Sequence, residues 1–262
     1  MMIEIRNEHL KKVIEGLDAF IVGHEELKTL LILSLLTEGN ILIEGIPGVG
    51  KTVTAKVFSM LIGGEFKRIQ MTADLLPSDI IGTPFYNVRE GTWGIKKGPI
   101  FANVVMIDEL NRASPRTQSA LLQAMQEKEV TIGESTFKLP SPFLVIATQV
   151  PLPEGTYSLP YIVLDRFAYG IEIGLPSKEE EMRILDVSYL TDSPNMTPVI
   201  EPKKVLELNN VVKGVKVSDG VKEYVVSLIR SLREDNDLTY KPSVRASIWL
   251  YRASKAVAFL EG

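Results

Sequence analysis

A glycine-rich stretch at residues 45–52, "GIPGVGKT", has the residue types and spacing to bind a phosphate group. It fits the pattern G-x-x-x-x-G-K-[ST], with an apolar strand pattern before it and a helical pattern after it. Glycines let successive backbone N–H groups point at one anion, and the following helix adds the positive end of its dipole. We expect Lys51 to reach the β- and γ-phosphates and Thr52 to coordinate Mg²⁺. The alternative is an ordinary glycine turn before a lysine.

Two acidic residues end the apolar run "VVMIDEL" at residues 104–110. Carboxylates are rarely buried without a task, although an ordinary strand end that meets solvent is the alternative. We expect Asp108 to hold the Mg²⁺ shell and Glu109 to deprotonate a water that attacks the γ-phosphate. Water as the nucleophile predicts ATP hydrolysis. A small-molecule kinase would need a second substrate pocket, for which the sequence shows no motif.

Strands and helices alternate through the first two-thirds of the chain, and they must position these residues. Buried-strand patterns occur at residues 41–44, 66–71, 104–108, 143–148 and 169–174. Continuous apolar strands between helices predict a parallel sheet covered on both faces. Helices are predicted over 51–62 and 114–129, the second with Ser114 as N-cap and Pro115 as its first residue.

Two segments interrupt this alternation. Residues 77–100 predict a hairpin inserted beside a helix, and residues 130–142 predict a strand, a turn and a second strand. After Leu175 the patterns are helical only, and a capping box of Ser177 and Glu180 opens the first of them.

The change of pattern after Leu175 divides the chain into two predicted parts. The sequence predicts an α/β core over residues 1–174 and a small helical domain over 175–262, with a shortened helical domain as one interpretation.

The composition excludes several kinds of site. The chain has 262 residues, a formal net charge of -4, two histidines and no cysteine. Disulfides, cysteine-ligated metals, thiol catalysis and a His-rich metal site are therefore excluded. No bulk basic excess indicates nucleic acid. The N-terminus has no signal-peptide pattern and the longest apolar run, "LLILSLL", is too short to span a bilayer, so we expect a cytoplasmic protein without direct membrane insertion.

Several motifs together resemble the MoxR group of AAA+ ATPases, in the helix-2-insert clade. They are "GIPGVGKT", "LLPSDIIGT", "GPIFANVVMIDELNRASPRTQSALLQAMQEKEVTIGE", "FLVIATQ", "EGTYSLP", "LDRF" and "KPSVRA". The resemblance implies a parallel five-stranded P-loop NTPase core followed by a small all-α lid, with the nucleotide between them. It also implies a helix-2 insert at about 79–97, a hairpin before sensor 1 at about 130–141, and a ring, usually a hexamer, whose sites are completed by neighbours.

The resemblance also implies roles for individual residues. The catalytic residues would be Lys51, Glu109 and Arg166, the last as an arginine finger. The cofactor contacts would be Gly45, Pro47, Gly48, Val49, Gly50, Lys51, Thr52, Val53, Ile21, Val22, Gln149 and Arg245, with Thr52 and Asp108 as metal ligands. Ile21 and Val22 belong to the loop that lies against adenine, where His24 stands in place of a frequent Gln. Arg245 matches sensor 2.

Each of the two arginines also has a simpler interpretation. Arg166 could form a local surface pair with Asp165, and Arg245 could be a solvated side chain. If Ser243 caps the last helix, however, Arg245 lies in the first turn, where the helix dipole disfavours a cation. An anionic partner for Arg245 is therefore expected.

The sequence departs from the family pattern at one position. The family strand usually reads "ATQNP", and its Asn is sensor 1, whereas this chain reads "ATQVP" with Val150. A valine side chain cannot donate a hydrogen bond. Either Thr148 or Gln149 substitutes, or hydrolysis is slow, because the loss of one polar positioning group often costs about a hundredfold in rate.

Three functional hypotheses follow from these residues. The first is an ATP-hydrolysing ring that assembles or matures protein clients, for which the resemblance implies a von Willebrand factor A-domain partner. The second, prompted by Val150, is a nucleotide-gated binding module with little hydrolysis. The third is a nucleic-acid motor, which the charge does not favour.

Overall fold

The computed structural model describes residues 3–151, 157–192 and 196–262, with only the backbone for residues 190–192. Residues 154–156 of the "EGTYSLP" motif lie outside the described residues. The strands are β1 (Asn40–Gly45), β2 (Phe66–Gln70), β3 (Gly82–Asn87), β4 (Thr92–Lys97), β5 (Val104–Asp108), β6 (Glu129–Ile132), β7 (Ser135–Lys138), β8 (Leu144–Gln149) and β9 (Phe167–Ile173). The helices are α1 (Glu8–Phe20), α2 (Glu25–Thr37), α3 (Lys51–Leu61), α4 (Pro77–Ile81), α5 (Pro115–Ser119), α6 (Leu121–Glu127), α7 (Tyr161–Leu164), α8 (Lys178–Asp192), α9 (Pro202–Gly214), α10 (Asp219–Glu234) and α11 (Val244–Glu261).

A five-stranded parallel sheet with the order β2-β5-β8-β1-β9 forms the centre of the molecule, as the sequence predicts. Successive side chains of a strand point to opposite faces. In β5, Val104 and Met106 therefore join one buried cluster while Val105 and Ile107 join the other. Both faces are covered, which explains why the strands are apolar at nearly every position.

Two hairpins lie beside this sheet, at the places predicted for the two inserted segments. The first consists of β3 and β4, directly after the short helix α4, and the second of β6 and β7.

The prediction of one continuous helix over residues 114–129 is wrong. The segment is divided into α5 and α6 around Ala120, and Lys128 ends α6 in the left-handed conformation, with φ 58°. Glu129 then enters β6, where it pairs with Lys138 of β7. Ser114 caps α5 as predicted, since its side chain accepts a hydrogen bond from the Thr117 N–H.

Among the described residues after Leu175, the regular elements are the helices α8, α9, α10 and α11, with no strand, in agreement with the sequence. The predicted capping box is present: the Ser177 N–H donates to Glu180 at 2.8 Å, and the Glu180 N–H donates to Ser177 at 3.2 Å. Helices α9 and α11 contribute Val205 and Leu260 to the cluster that also covers the sheet. The helical region thus shares its core with the α/β part, and the division at residue 175 stays a prediction.

In the described part of the chain, no helix is both long enough and apolar enough to cross a bilayer.

Candidate functional site

The predicted phosphate loop connects the end of β1 to the start of α3. Gly48 and Gly50 have φ values of 88° and 84°, a region that glycine enters without steric cost. A Cβ atom on Gly45 would lie 2.5 Å from the Ile173 carbonyl oxygen, so β1 and β9 can approach closely only with glycine there. The loop therefore curls in the way that an anion-binding loop requires.

Lys51, the first residue of α3, lies back across this loop. Its Nζ donates hydrogen bonds to the carbonyl oxygens of Gly45 at 2.9 Å and Ile46 at 2.6 Å. Burial lowers the pKa of the Lys51 ammonium, and the nearby carboxylates of Asp108 and Glu109 oppose that shift. The side chain is thus a partly desolvated cation at the mouth of the loop, where a phosphate would interact with it strongly.

Asp108, at the end of β5, is the buried carboxylate of the site, with 6% of its surface exposed. Its Oδ2 accepts hydrogen bonds from Thr52 Oγ1 at 3.3 Å and from Arg68 Nε at 2.5 Å, and its Oδ1 accepts from Thr148 Oγ1 at 3.2 Å. The Arg68 guanidinium compensates the charge of the buried Asp108 carboxylate, because a buried charge is stable only when it is paired.

The oxygens of Thr52 and Asp108 fit a magnesium site. A hydroxyl and a carboxylate oxygen lie 3.3 Å apart, so both can face one ion. Among the described residues, no group of three or more His, Asp or Glu side chains could hold a metal alone. Mg²⁺ typically takes one or two protein oxygens and completes its shell with phosphates and water, and this pair supplies such a partial shell.

Glu109, the residue after Asp108, has a strained backbone conformation, and it lines a cavity together with Asp108. Its φ of 57° and ψ of 50° are left-handed, which is rare for a residue other than glycine and is typical of functional sites. The Glu109 N–H donates to Thr148 Oγ1 at 2.9 Å, and the carboxylate accepts from Gln70 Nε2 at 2.9 Å and Arg112 Nε at 2.8 Å. Gln70 reaches Glu109 because β2 pairs with β5 with Gln70 opposite Asp108.

A cavity of about 310 Å³ joins the loop to these acids. It is lined by Pro47, Gly48, Gly50, Lys51, Thr52, Val53, Arg68, Gln70, Asp108, Glu109, Thr148 and Val150.

The three residues that bear on the sensor 1 question differ in their contacts. The Val150 side chain lines the cavity, and Thr148 lines it with a hydroxyl that already donates to Asp108. Gln149 donates to Glu44 at 2.6 Å, its neighbour across β1 and β8, and is not among the described residues that line the cavity. The structure therefore does not bring the Gln149 side chain to the predicted cofactor site, and Thr148 is the better placed substitute.

A second, apolar cavity of about 350 Å³ continues from the first. The two share Pro47, Gly48, Gly50 and Val53. Its walls include Phe20, Ile21, Val22, His24, Val49 and, from the helical region, Leu175, Pro176, Glu181, Ile184 and Val187. Ile21 and Val22, which are predicted to lie against adenine, line this pocket, and its apolar walls suit a flat nucleobase.

Arg166 and Arg245 lie together at the amino ends of the strands, where β9 begins, opposite the carboxyl ends that carry the phosphate loop. Asp165 accepts hydrogen bonds from Arg245 Nη1 at 2.6 Å and from Ser243 Oγ at 2.6 Å. The expected anionic partner of Arg245 is therefore Asp165, and Asp165 is not paired with Arg166. Within the described residues, the buried Nε and Nη1 atoms of Arg166 have no hydrogen-bond partner. Burial and the adjacent Arg245 cation lower the pKa of Arg166.

The strand directions separate these arginines from their own phosphate loop. Phe167, next to Arg166, pairs with Asn40 at the start of β1, whereas the loop follows Gly45 at its end. At about 3.3 Å per residue, the two ends of β1 are about 16 Å apart. The structure thus places neither Arg166 nor Arg245 at the phosphate loop of its own chain.

Sequence reasoning missed three residues of these sites, Arg68, Gln70 and Arg112, and it did not predict that Asp165 binds Arg245. Arg68 and Gln70 carry one recognisable signal, because both are polar residues at the carboxyl end of a strand next to the acidic strand. Their partners depend on the order β2-β5-β8, which no local pattern specifies.

Known proteins are similar to this chain over nearly its whole length. The family described as "ATPase family associated with various cellular activities (AAA)" matches residues 40–169. Chaperone MoxR1 of Mycobacterium tuberculosis is 38% identical, over 97% of this chain and 70% of that protein. The uncharacterized protein YeaC of Bacillus subtilis is 40% identical, over 96% of this chain and 79% of its own length.

A solved structure agrees with these relatives. The crystal structure of a proposed ATPase from Cytophaga hutchinsonii superposes with a TM-score of 0.86 at 38% identity, covering 96% of this chain and 80% of that one. Together with the phosphate loop, the acid pair and the parallel sheet, these similarities show that the chain belongs to the MoxR family of AAA+ ATPases.

Proposed function

We propose that this protein is a Mg²⁺-dependent ATPase whose active site is completed by a neighbouring copy of the chain. The observation that carries the proposal is the division of the charged groups between two edges of the sheet. The carboxyl edge is where the parallel strands end, and the amino edge is where they begin. One edge combines a phosphate loop, a metal-ligand pair and a candidate base in one cavity. The other edge presents an Arg166 guanidinium whose buried nitrogens have no partner among the described residues.

Each residue of the first edge has a distinct task in hydrolysis. The loop N–H groups and Lys51 would bind the phosphates, and Thr52 and Asp108 would hold the metal. When bound, Mg²⁺ supplies positive charge to the β- and γ-phosphate oxygens. Glu109 would accept a proton from the attacking water, and Gln70 and Arg112 orient its carboxylate toward the cavity.

The second edge would supply an additional cation, the Arg166 guanidinium, to the terminal phosphate that Lys51 would also contact. Because Arg166 is about 16 Å of strand away from its own loop, it would act on the nucleotide of a neighbour. Head-to-tail contacts of this kind close into a ring, and we propose a hexamer as in related modules. The name of Chaperone MoxR1 supports a further proposal, that ATP turnover drives the assembly or maturation of protein clients. The resemblance of the sequence motifs to the MoxR group is the basis for proposing a von Willebrand factor A-domain protein as partner. An ATP-driven role of this kind would place the protein in the cytoplasm.

One observation favours a second candidate function. Val150 presents an apolar side chain where the family has a polar one, and the Thr148 hydroxyl is already bonded to Asp108. A slow ATPase would act as a nucleotide-gated binding module, in which bound ATP sets the assembly state.

The rate of ATP hydrolysis per subunit, measured against protein concentration at saturating Mg·ATP, tests the proposal. We expect the rate to rise with concentration, since subunits complete each other's sites on assembly. A rate near zero at every concentration, with ATP still bound, would favour the nucleotide-gated module. No binding of ATP would contradict both functions.

A further inference from the structure

His24 makes an unusual contact with the phosphate loop. Its Nε2 lies 2.7 Å from the main-chain carbonyl oxygen of Val49, inside the loop. A carbonyl oxygen can only accept, so Nε2 carries the proton and donates it. Both the neutral ring with its proton on Nε2 and the imidazolium can make this bond.

His24 departs from two local preferences, one of backbone conformation and one of helix capping. His24 has φ 58° and ψ 34°, a left-handed conformation that is unfavourable for a residue with a Cβ atom. It is also the N-cap residue of α2, where Ser, Thr, Asp or Asn would bond the free N–H groups, yet its side chain makes no cap hydrogen bond. Such an outlier supports a functional role for the side chain.

The geometry of the peptide bond gives the consequence of the contact. In a planar trans peptide, the carbonyl and the N–H of the next residue point in opposite directions. The Val49 carbonyl points to His24, so the Gly50 N–H points away from His24. Gly50 lines the phosphate-side cavity, whereas His24 and Val49 are not among the described residues that line it.

We propose that His24 is a positioning residue that fixes the Val49–Gly50 peptide so that the Gly50 N–H meets a nucleotide phosphate. This inference rests on the proposed function, since it requires a nucleotide in the loop. Its specific consequence is that His24 contributes more to the affinity for phosphates than to the affinity for the nucleoside, although His24 also lines the apolar pocket.

The substitutions His24→Gln and His24→Met test this role. The two new side chains have similar length and volume, but only Gln can donate a hydrogen bond to Val49. His9→Met serves as the control because His9 is exposed on α1. The dissociation constant of Mg·ADP is measured by calorimetry, and that of adenosine by competition with a fluorescent ADP analogue. Thermal unfolding checks that each variant is folded.

We expect His24→Met to weaken ADP binding about tenfold more than it weakens adenosine binding, as the loss of one oriented hydrogen bond at the phosphate loop predicts. His24→Gln should restore most of the ADP affinity. Equal ADP affinity in the Met and Gln variants, or an equal loss for ADP and adenosine, would overturn the inference while the proposed function stands. If the unaltered protein does not bind ADP, the proposed function itself fails.

Discussion

The two edges of the central sheet carry complementary sets of charged groups. At the carboxyl edge, Asp108, Glu109 and Lys51 all have hydrogen-bond partners within the chain, and a cavity for phosphates remains between them. At the amino edge, Asp165 is fully engaged, but the buried Arg166 nitrogens have no partner among the described residues. The cations of the first edge are bonded within the chain, Lys51 to loop carbonyls and Arg68 to Asp108, whereas the second edge holds a guanidinium without an anion for its buried nitrogens. The difference supports the proposal that each edge is half of one site.

The helical region contacts both edges. Helix α8 closes the apolar pocket beside the phosphate loop through Ile184 and Val187. Helix α11 carries Arg245, which is clamped to Asp165 at the opposite edge. A shift of these helices on nucleotide binding would therefore change both halves of the site together.

The largest effect is expected at the carboxyl edge, from Glu109→Gln. The amide keeps the size of the side chain but cannot accept the proton of the attacking water. ATP turnover should fall by about a hundredfold or more. Mg·ADP affinity, measured by calorimetry, should be unchanged. Glu134→Gln, in the exposed turn between β6 and β7, should keep the full rate. Unchanged turnover in Glu109→Gln would remove Glu109 from the mechanism.

A smaller effect is expected at the amino edge, from Asp165→Asn. The substitution removes the charge that holds Arg245 at 2.6 Å, and the loss of one charge-assisted hydrogen bond predicts about a tenfold lower turnover at high protein concentration. Nucleotide affinity of the isolated subunit should not change, since this edge is remote from its own loop. The matched control is Asp219→Asn, which breaks the exposed ion pair with Lys222. A loss of ADP affinity in Asp165→Asn would break the distinction between the two edges.

The smallest effect is expected from Val150→Asn, which returns a hydrogen-bond donor to the cavity. We expect turnover to rise by up to about tenfold, less than the full contribution of such a group because the Thr148 hydroxyl also lines the cavity. Unfolding should become easier by about 1 kcal/mol, since Val150 is nearly buried. Val150→Leu has the shape of Asn without the amide and should give no gain in steady-state ATPase rate. An equal gain from Leu would show that polarity at this position is irrelevant.

The sequence predicts the carboxyl edge well because its residues are close together along the chain. The phosphate loop is one continuous motif, and the acid pair ends one apolar strand. The five strands and the capping residues Ser114 and Ser177 are also confirmed, since they depend on local patterns.

Features that depend on distant contacts could not be predicted in this way. Gln70 reaches Glu109, and Gln149 reaches Glu44, only because particular strands are neighbours in a particular register. The helix predicted to residue 129 ends early because Lys128 adopts a left-handed conformation and the chain then pairs as a hairpin. The position of Arg245 beside Asp165, some 80 residues away, depends on how the helical region packs on the sheet.

The central claim, that one site is built from two subunits, is tested most directly by mixing two inactive variants. Glu109→Gln keeps its arginine edge, and Arg166→Ala keeps its catalytic carboxylate. A tag on one variant verifies by pull-down that mixed assemblies form. At equal amounts, a random ring joins an intact Glu109 to an intact Arg166 at about one interface in four, so we predict recovery to about a quarter of the wild-type ATPase rate. A rate that stays at the average of the two separate variants would contradict the account, because each active site would then lie within a single chain.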